Sequence, residues 1–173
     1  VTAAGLGARD SLRTEAGYPL YGHELAGPLG LNPTEAGYGA FIKRHKPFFI
    51  GREGLLAKEA KRSREVVRFR LARGGARTVQ PGSPVANTRG QIVGAVTSAA
   101  LVGTRQIGLA AVDRKVANAG PGERIGIFIP PRKQADPMPN PADLKLGDAV
   151  YLAEEAELLP RFGKSKEYKT NIG

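Results

Sequence analysis

A series of short apolar segments between residues 64 and 152, each ending in a turn signal, constrains the fold most strongly. In the first segment Val67, Phe69 and Leu71 alternate with arginines, and this period of two is typical of a half-buried strand. Further strands are predicted at residues 85–86, 91–97, 106–112, 124–129 and 149–152, separated by turns rich in glycine, proline and asparagine. Parallel neighbours need crossover connections of about a dozen or more residues, which these turns cannot provide. The pattern therefore predicts a small antiparallel β-barrel or sandwich.

The residues before this series are predicted to be mainly helical. Residues 8–16 form the first predicted helix, and Gly17 supplies a left-handed C-cap. A second helix start is predicted at Asn32, whose side chain can cap while Glu35 reaches back to complete a capping box. The remaining predictions are a helix at residues 52–61, strand pieces at residues 41–42 and 48–50, and a proline-rich extended connector at residues 130–141.

The composition excludes several classes of site. The 173 residues include no cysteine, so disulfides, thiolate metal sites and cysteine nucleophiles are ruled out. The two histidines, His23 and His45, are too far apart to form a local metal motif, and no metal is expected. No apolar run approaches the roughly 20 residues that span a membrane, and residues 1–10 lack the pattern of a secretory signal. The absence of cysteine fits a reducing compartment, for which we expect the cytoplasm if the chain is bacterial or the mitochondrial matrix if it is eukaryotic.

The net charge of +10 is concentrated in one segment, because residues 43–77 hold twelve Lys and Arg against three acids. Such a segment attracts anionic partners, which here are nucleic acid, an acidic protein or a small polyanionic ligand. The alternative is a solvated basic face without a partner. Nucleic acid is disfavoured, because base-stacking aromatics are nearly absent: only Phe69 lies within residues 58–77, and its alternation places it in a core.

Glu15 occupies an unfavourable position near the end of the first predicted helix. The helix dipole disfavours a carboxylate there by up to about 1 kcal/mol, and Glu15 lies beside the apolar spacing of Ala8, Leu12 and Ala16. An ionised carboxylate has two acceptor oxygens and no donor, which suits a ligand edge with two adjacent N–H groups, such as that of a pterin. A surface glutamate near Arg13 is the alternative interpretation.

Five sequence blocks, in order, resemble the aminomethyltransferase family of the glycine-cleavage type. They are GLGARDSLRTEAGYPLYGHEL at residues 5–25, NPTEAGYGAFIK at residues 32–43, FIGREGLL at residues 49–56, and the weaker pair GSPVANTRGQIVGAVTS and IGLAAV at residues 82–98 and 107–112. Together they cover roughly the first 130 residues. The resemblance implies the C-terminal half of such a protein.

This resemblance implies a tetrahydrofolate site formed by Glu15, Tyr21 and Lys46. Glu15 matches the glutamate that binds the pterin ring, and Tyr21 lies in the family's Leu-Tyr-Gly segment at the edge of the same pocket. Lys46 is the nearest match to a basic residue that precedes the FIGRE block and helps to hold the ligand, where members of the family often have arginine. Lysine lacks the planar fork of arginine, which weakens bidentate carboxylate recognition. Core packing for Tyr21 and membership of the basic segment for Lys46 are the structural alternatives.

The implied fold is α+β: the C-terminal segment of a ferredoxin-like folate-binding domain at residues 1–62, a small antiparallel β-barrel at residues 63–153 and a polar tail at residues 154–173. The implied activity transfers a one-carbon unit from a lipoyl-bound aminomethyl group to tetrahydrofolate, with a lipoyl-carrier protein as partner and release of ammonia. The family's catalytic aspartate belongs to an N-terminal part outside this chain, so a missing N-terminal half or a complementary subunit is expected to complete the enzyme. Asp10 is instead expected to pair with Arg13.

Three alternatives remain at this stage. The chain is also compatible with a folate-binding module of another one-carbon enzyme, such as a demethylase or a demethylating dehydrogenase. It is compatible with a non-enzymatic barrel that docks a partner. A nucleic-acid-binding barrel is the least favoured alternative.

Overall fold

A closed barrel of six antiparallel strands forms the centre of the molecule in a computed structural model that describes residues 3–129, 143–150 and 153–163. The strands are β1 (Arg64–Leu71), β2 (Pro84–Ala86), β3 (Ile92–Val102), β4 (Arg105–Asp113), β5 (Arg124–Phe128) and β6 (Ala153–Leu159). Their order around the barrel is β1-β4-β3-β2-β5-β6, and β6 pairs with β1 to close it. The antiparallel barrel predicted from the strand pattern is therefore confirmed.

The alternating residues of β1 fill the barrel interior. Phe69 is fully buried, and Leu71 and Val67 lie in the same core cluster as Ile127 of β5. Phe69 lies opposite Gly108 of β4, where an added Cβ would come within 2.6 Å of the phenyl ring and of a backbone oxygen of β3. The glycine thus leaves the space that the ring occupies, and a full burial of this kind contributes roughly 1.5–3 kcal/mol.

The outer face of β1 and β4 is covered as well. Val66, Leu109 and Ala111 pack against Leu31 and Ala36 of the N-terminal segment. Burial on both faces explains the continuous apolar run of β4 at residues 107–112. In β1 the outward-facing Val66 and Arg68 are buried as well, although the alternation alone predicted one solvated face.

In the described residues, three helices and two short helical turns surround the barrel. They are α1 (Leu6–Ala16), a wide turn (Thr34–Tyr38), a 3₁₀ turn (Gly39–Phe41), α2 (Arg52–Ala60) and α3 (Arg114–Ala117). Both predicted long helices are confirmed, whereas the strand pieces predicted at residues 41–42 and 48–50 are wrong. Local turn bonds, such as that from the Ile42 amide to the Gly39 carbonyl at 3.2 Å, satisfy this backbone instead. No helix in the described part of the chain has the length and apolarity needed to cross a membrane.

The capping box at Asn32 is confirmed. The Asn32 carboxamide oxygen accepts from the amides of Thr34 and Glu35 at 2.9 and 3.0 Å, and Glu35 accepts from the Asn32 amide at 2.9 Å. These reciprocal bonds satisfy amides that the start of a helix would otherwise leave without partners.

Three features differ from the sequence predictions. Ala8 and Leu12 of α1 are exposed, so the face that carries their four-residue spacing does not contact the barrel. At the other end, residues 154–159 belong to β6 and not to a polar tail. The strand predicted at residues 149–152 is reduced to a single bridge between Ala149 and Gln91, with residues 151–152 outside the described ones. The predicted connector at residues 130–141 and the tail from residue 164 also lie outside the described residues.

The acidic residues of β6 neutralise part of the basic segment. Arg70 and Arg73 pair with Glu157 and Glu154, respectively. Within the segment itself, Glu59 and Glu65 pair with Arg62. The basic segment is therefore not one continuous cationic face. Its cations without a described acidic partner include four exposed lysines, namely Lys43, Lys46, Lys58 and Lys61.

Candidate functional site

The C-terminal end of α1 presents Glu15 without a described partner. The helix ends at Gly17, which has a φ of 85°, and the amides of Gly17 and Tyr18 return to the carbonyls of Thr14 and Arg13 at 3.1 and 2.8 Å. This pair of hydrogen bonds is a Schellman motif. Glycine is favoured at its left-handed position because it adopts that conformation without strain. Glu15 is half-buried in this fixed turn and has no hydrogen bond or ion pair with any described residue.

The pentapeptide Thr-Glu-Ala-Gly-Tyr occurs twice, at residues 14–18 and 34–38, and both copies end a helical segment at a glycine with positive φ. The two glutamates nevertheless differ, because Glu35 completes the capping box whereas Glu15 bonds no described residue. Sequence analysis missed this repeat, although the identical letters were a sufficient signal. The Glu15 carboxylate, unlike that of Glu35, therefore takes no part in capping its helical segment.

The other two predicted site residues are exposed. Tyr21 is 79% exposed in the loop after α1, so core packing does not account for it. Lys46 is exposed too, and its backbone carbonyl accepts from the Arg52 side chain at 3.1 Å. The Arg52 side chain thus supports the backbone beside Lys46.

Three clefts of the described structure are lined by barrel strands and the segments beside them, and Glu15, Tyr21 and Lys46 line none of these three. Within residues 3–129, 143–150 and 153–163, no group of three or more acidic or histidine side chains has a metal-binding arrangement. The assignment of the three residues to a ligand site stays a prediction.

A buried ionic centre fixes α1 and the following loop to the barrel. Glu24 is completely buried, and its Oε2 accepts from Arg13 Nη1 at 2.8 Å and from the Leu20 amide at 2.9 Å. Its Oε1 accepts from Ser98 of β3 at 2.5 Å, and Ser98 also accepts from Arg13 at 2.8 Å. Arg13 in addition donates to Asp10 at 2.5 and 2.7 Å, which confirms the predicted pairing of those two residues.

The surroundings of Glu24 keep it ionised. Burial by itself raises the pKa, but hydrogen bonds from Ser98, the Leu20 amide and Thr97, together with the Arg13 charge, outweigh burial and lower the pKa of Glu24 below its ordinary value. Sequence analysis missed this centre, because a glutamate in a glycine-rich loop gives no signal of burial. Its role is to hold the helix that carries Glu15 against the barrel.

Most exposed large apolar side chains lie in the N-terminal segment. Of nine such residues in the described part of the chain, seven fall between residues 6 and 50: Leu6, Leu12, Tyr18, Tyr21, Phe41, Phe48 and Ile50. Exposed apolar side chains that form one contiguous patch are typical of surfaces that contact another protein part or a ligand.

Comparison with known proteins gives a consistent set of relatives. A protein of Mycobacterium leprae named aminomethyltransferase is 45% identical over 118 residues, which is 66% of this chain and 30% of that protein. The corresponding proteins of Mycobacterium tuberculosis and of a Thermoanaerobacter species are each 41% identical, over 128 and 133 residues, covering 73% and 75% of this chain and 34% and 35% of theirs. No family model matches the chain.

The fold is also found in a solved structure. The glycine cleavage system aminomethyltransferase T of Bartonella henselae aligns with a TM-score of 0.63 over 90% of this chain and 37% of its own, at 23% identity. At that identity the likeness concerns the fold, and it agrees with the α+β architecture built around an antiparallel barrel. The chain spans about a third of the length of the relatives it matches.

Proposed function

The chain belongs to the aminomethyltransferase family, corresponding to the C-terminal part of its members, and from that premise we propose that it contributes the C-terminal part of a tetrahydrofolate-dependent enzyme of glycine cleavage. In this proposal tetrahydrofolate is a substrate and binds at the end of α1. The observation that carries the proposal is the Glu15 carboxylate, which has no described partner although its helix end is rigidly capped.

The chemistry of the carboxylate fits a pterin. The two oxygens of Glu15 accept hydrogen bonds, and the aminopyrimidinone edge of a pterin offers two adjacent N–H donors. A charge-assisted bidentate contact of this kind supplies both affinity and orientation. Tyr21, exposed in the loop that follows, and Lys46, exposed and positively charged, complete the proposed contacts with the ring and the folate carboxylates.

The reaction is the transfer of a methylene group from a lipoyl-bound aminomethyl donor to tetrahydrofolate, with departure of ammonia. We expect this chain to contribute mainly by orienting tetrahydrofolate, because holding two reactants in the correct relative position substantially lowers the activation barrier of the transfer. The catalytic aspartate is proposed to come from an N-terminal part outside this chain, as the family resemblance implies. The chain spans about a third of the length of the relatives. We assign the enzyme to the cytoplasm on the same basis, since these relatives are bacterial.

Two surface features support the expected partners. The exposed apolar side chains between residues 6 and 50 suit contact with the N-terminal part. The four exposed lysines without a described acidic partner suit an acidic lipoyl-carrier protein.

The proposal is tested by fusing the N-terminal part of the Mycobacterium tuberculosis relative to the full chain and measuring tetrahydrofolate binding by calorimetry. The variant Glu15→Gln replaces one acceptor by a donor, and we expect the affinity to fall about 10- to 100-fold, as for loss of a hydrogen bond to a charged group. Glu35→Gln is the matched control, because it changes the same pentapeptide at the copy used for capping. Equal affinities for the unsubstituted fusion and Glu15→Gln would contradict the proposal.

A further inference from the structure

The segment that follows β6 crosses the ends of both pentapeptide copies. The Arg161 guanidinium donates from Nη1 to the Gly17 carbonyl and from Nη2 to the Ala36 carbonyl, the latter at 2.9 Å. Two residues further on, the Gly163 amide donates to the Ala16 carbonyl at 3.1 Å. Residues 161–163 therefore occupy carbonyls that the end of α1 would otherwise leave without a partner.

Aromatic packing accompanies these hydrogen bonds. The Phe162 ring lies 5.8 Å from the Tyr18 ring and 6.3 Å from the Tyr38 ring, and it stacks on the latter at 15°. The Arg161 guanidinium lies 5.1 Å from the centre of the Phe162 ring. The two tyrosines are the last residues of the two pentapeptides, so one short segment contacts both copies at the same position.

Glycine is required where this segment approaches α1. A Cβ on Gly17 would overlap the Arg161 carbonyl oxygen, and a Cβ on Gly37 would lie 3.1 Å from Arg161 Nε. Both glycines also have positive φ, 85° and 87°, which disfavours any other residue. The same two glycines thus allow both the sharp helix ends and the close approach of Arg161.

We infer that Arg161 is a positioning residue for Glu15: by fixing the last turn of α1, it holds the Glu15 carboxylate in the direction required for the ligand. This inference rests on the proposed function. No hydrogen bond or ion pair joins Arg161 to Glu15 in the described structure, and Arg161 acts through the carbonyls at the end of the helix. The direction of the carboxylate matters because a displacement of about 1 Å at a positioning group can lower the reaction rate about a hundredfold.

Arg161 remains a cation under ordinary conditions. Burial is the main cause that lowers its pKa, to about 10, and the nearby Tyr38 and Glu24 oppose that effect. The guanidinium therefore stays charged at neutral pH, and its hydrogen bonds to the two carbonyls are charge-assisted.

Hydrogen exchange on the full chain tests whether Arg161 fixes the helix end. The variant Arg161→Met should accelerate exchange of the Gly17 and Tyr18 amides, which form the Schellman motif, and leave the barrel amide of Leu109 unchanged. Arg124→Met is the matched control, because Arg124 pairs with Glu155 on the exposed side of the barrel. Unchanged protection of Gly17 and Tyr18 in Arg161→Met would overturn the inference.

A double-mutant cycle in the fusion protein tests whether this fixing acts on Glu15. Arg161→Met should weaken tetrahydrofolate binding about tenfold or more when Glu15 is present, and less than about twofold in the Glu15→Gln background. Arg161→Lys, which keeps a charged donor, should recover part of the affinity. A purely structural role predicts the same factor in both backgrounds, and that result would overturn the inference even if all variants fold.

The two failures are distinguishable. Absence of tetrahydrofolate binding by the unsubstituted fusion, or equal binding by Glu15→Gln, refutes the proposed function and with it the effect of Arg161 on the ligand. Binding that depends on Glu15 but not on Arg161 refutes only the inference. The exchange measurement on the full chain decides the structural part in every case.

Discussion

Replacing Glu24 by glutamine tests the buried ionic centre. The side chain keeps its shape but loses its charge and one acceptor. If the amide oxygen takes the place of Oε2, it still accepts from Arg13 and the Leu20 amide, and the amide nitrogen then faces Ser98. Ser98 already accepts from Arg13, so its own hydroxyl proton loses its acceptor. The opposite orientation places the amide nitrogen against two donors and is worse.

The expected loss of stability follows from these contacts. Leaving one buried donor without a partner costs about 1–3 kcal/mol. Removing one member of a buried ion pair costs about 3–5 kcal/mol in total, and the lower end applies because Arg13 keeps Asp10. We therefore expect Glu24→Gln to destabilise the chain by about 3 kcal/mol, which lowers the melting temperature by roughly 6–12 °C for a chain of this size.

Urea unfolding monitored by circular dichroism, with thermal melts beside it, measures this loss. Glu155→Gln is the matched control, because Glu155 forms an exposed pair with Arg124 and its replacement should cost less than about 1 kcal/mol. If Glu24→Gln and Glu155→Gln unfold at the same urea concentration, Glu24 does not form the buried centre that joins α1 to β3.

Two further predictions concern pH and capping. Because folding lowers the pKa of Glu24, the unfolded chain binds the proton of this carboxyl more tightly than the folded chain does. The stability that the charge contributes is complete above the ordinary glutamate pKa of 4.5 and declines as the pH falls through the pKa of the folded state. The difference in unfolding free energy between wild type and Glu24→Gln should therefore shrink in acid. If that difference were constant from about pH 7 to pH 3, folding would not lower the pKa of Glu24. Asn32→Ala removes the two capping bonds to Thr34 and Glu35 and should cost about 1 kcal/mol in urea unfolding, whereas an unchanged midpoint would show that the cap contributes nothing.

Local patterns were sufficient for much of the architecture. The alternation in residues 67–71 predicted β1, and the short turns predicted antiparallel pairing, because both depend on the geometry of a few consecutive residues. Gly17 as a left-handed cap and the capping box of Asn32 with Glu35 were predicted for the same reason. The candidate site residues came from resemblance to a family, and for Glu15 the unfavourable helix position agreed with it.

The tertiary structure decided the features that depend on contacts distant in sequence. Burial of Glu24 requires Ser98, which lies 74 residues away, and the capping of Gly17 by Arg161 spans 144 residues. The sequence of β6 is polar and acidic, and it forms a strand because it pairs with β1 and β5, where Glu157 meets Arg70 of β1 and Glu155 meets Arg124 of β5. A sequence determines the local geometry of its backbone directly, but which charged residues become buried partners is set only when closure of the barrel brings them together and removes them from water.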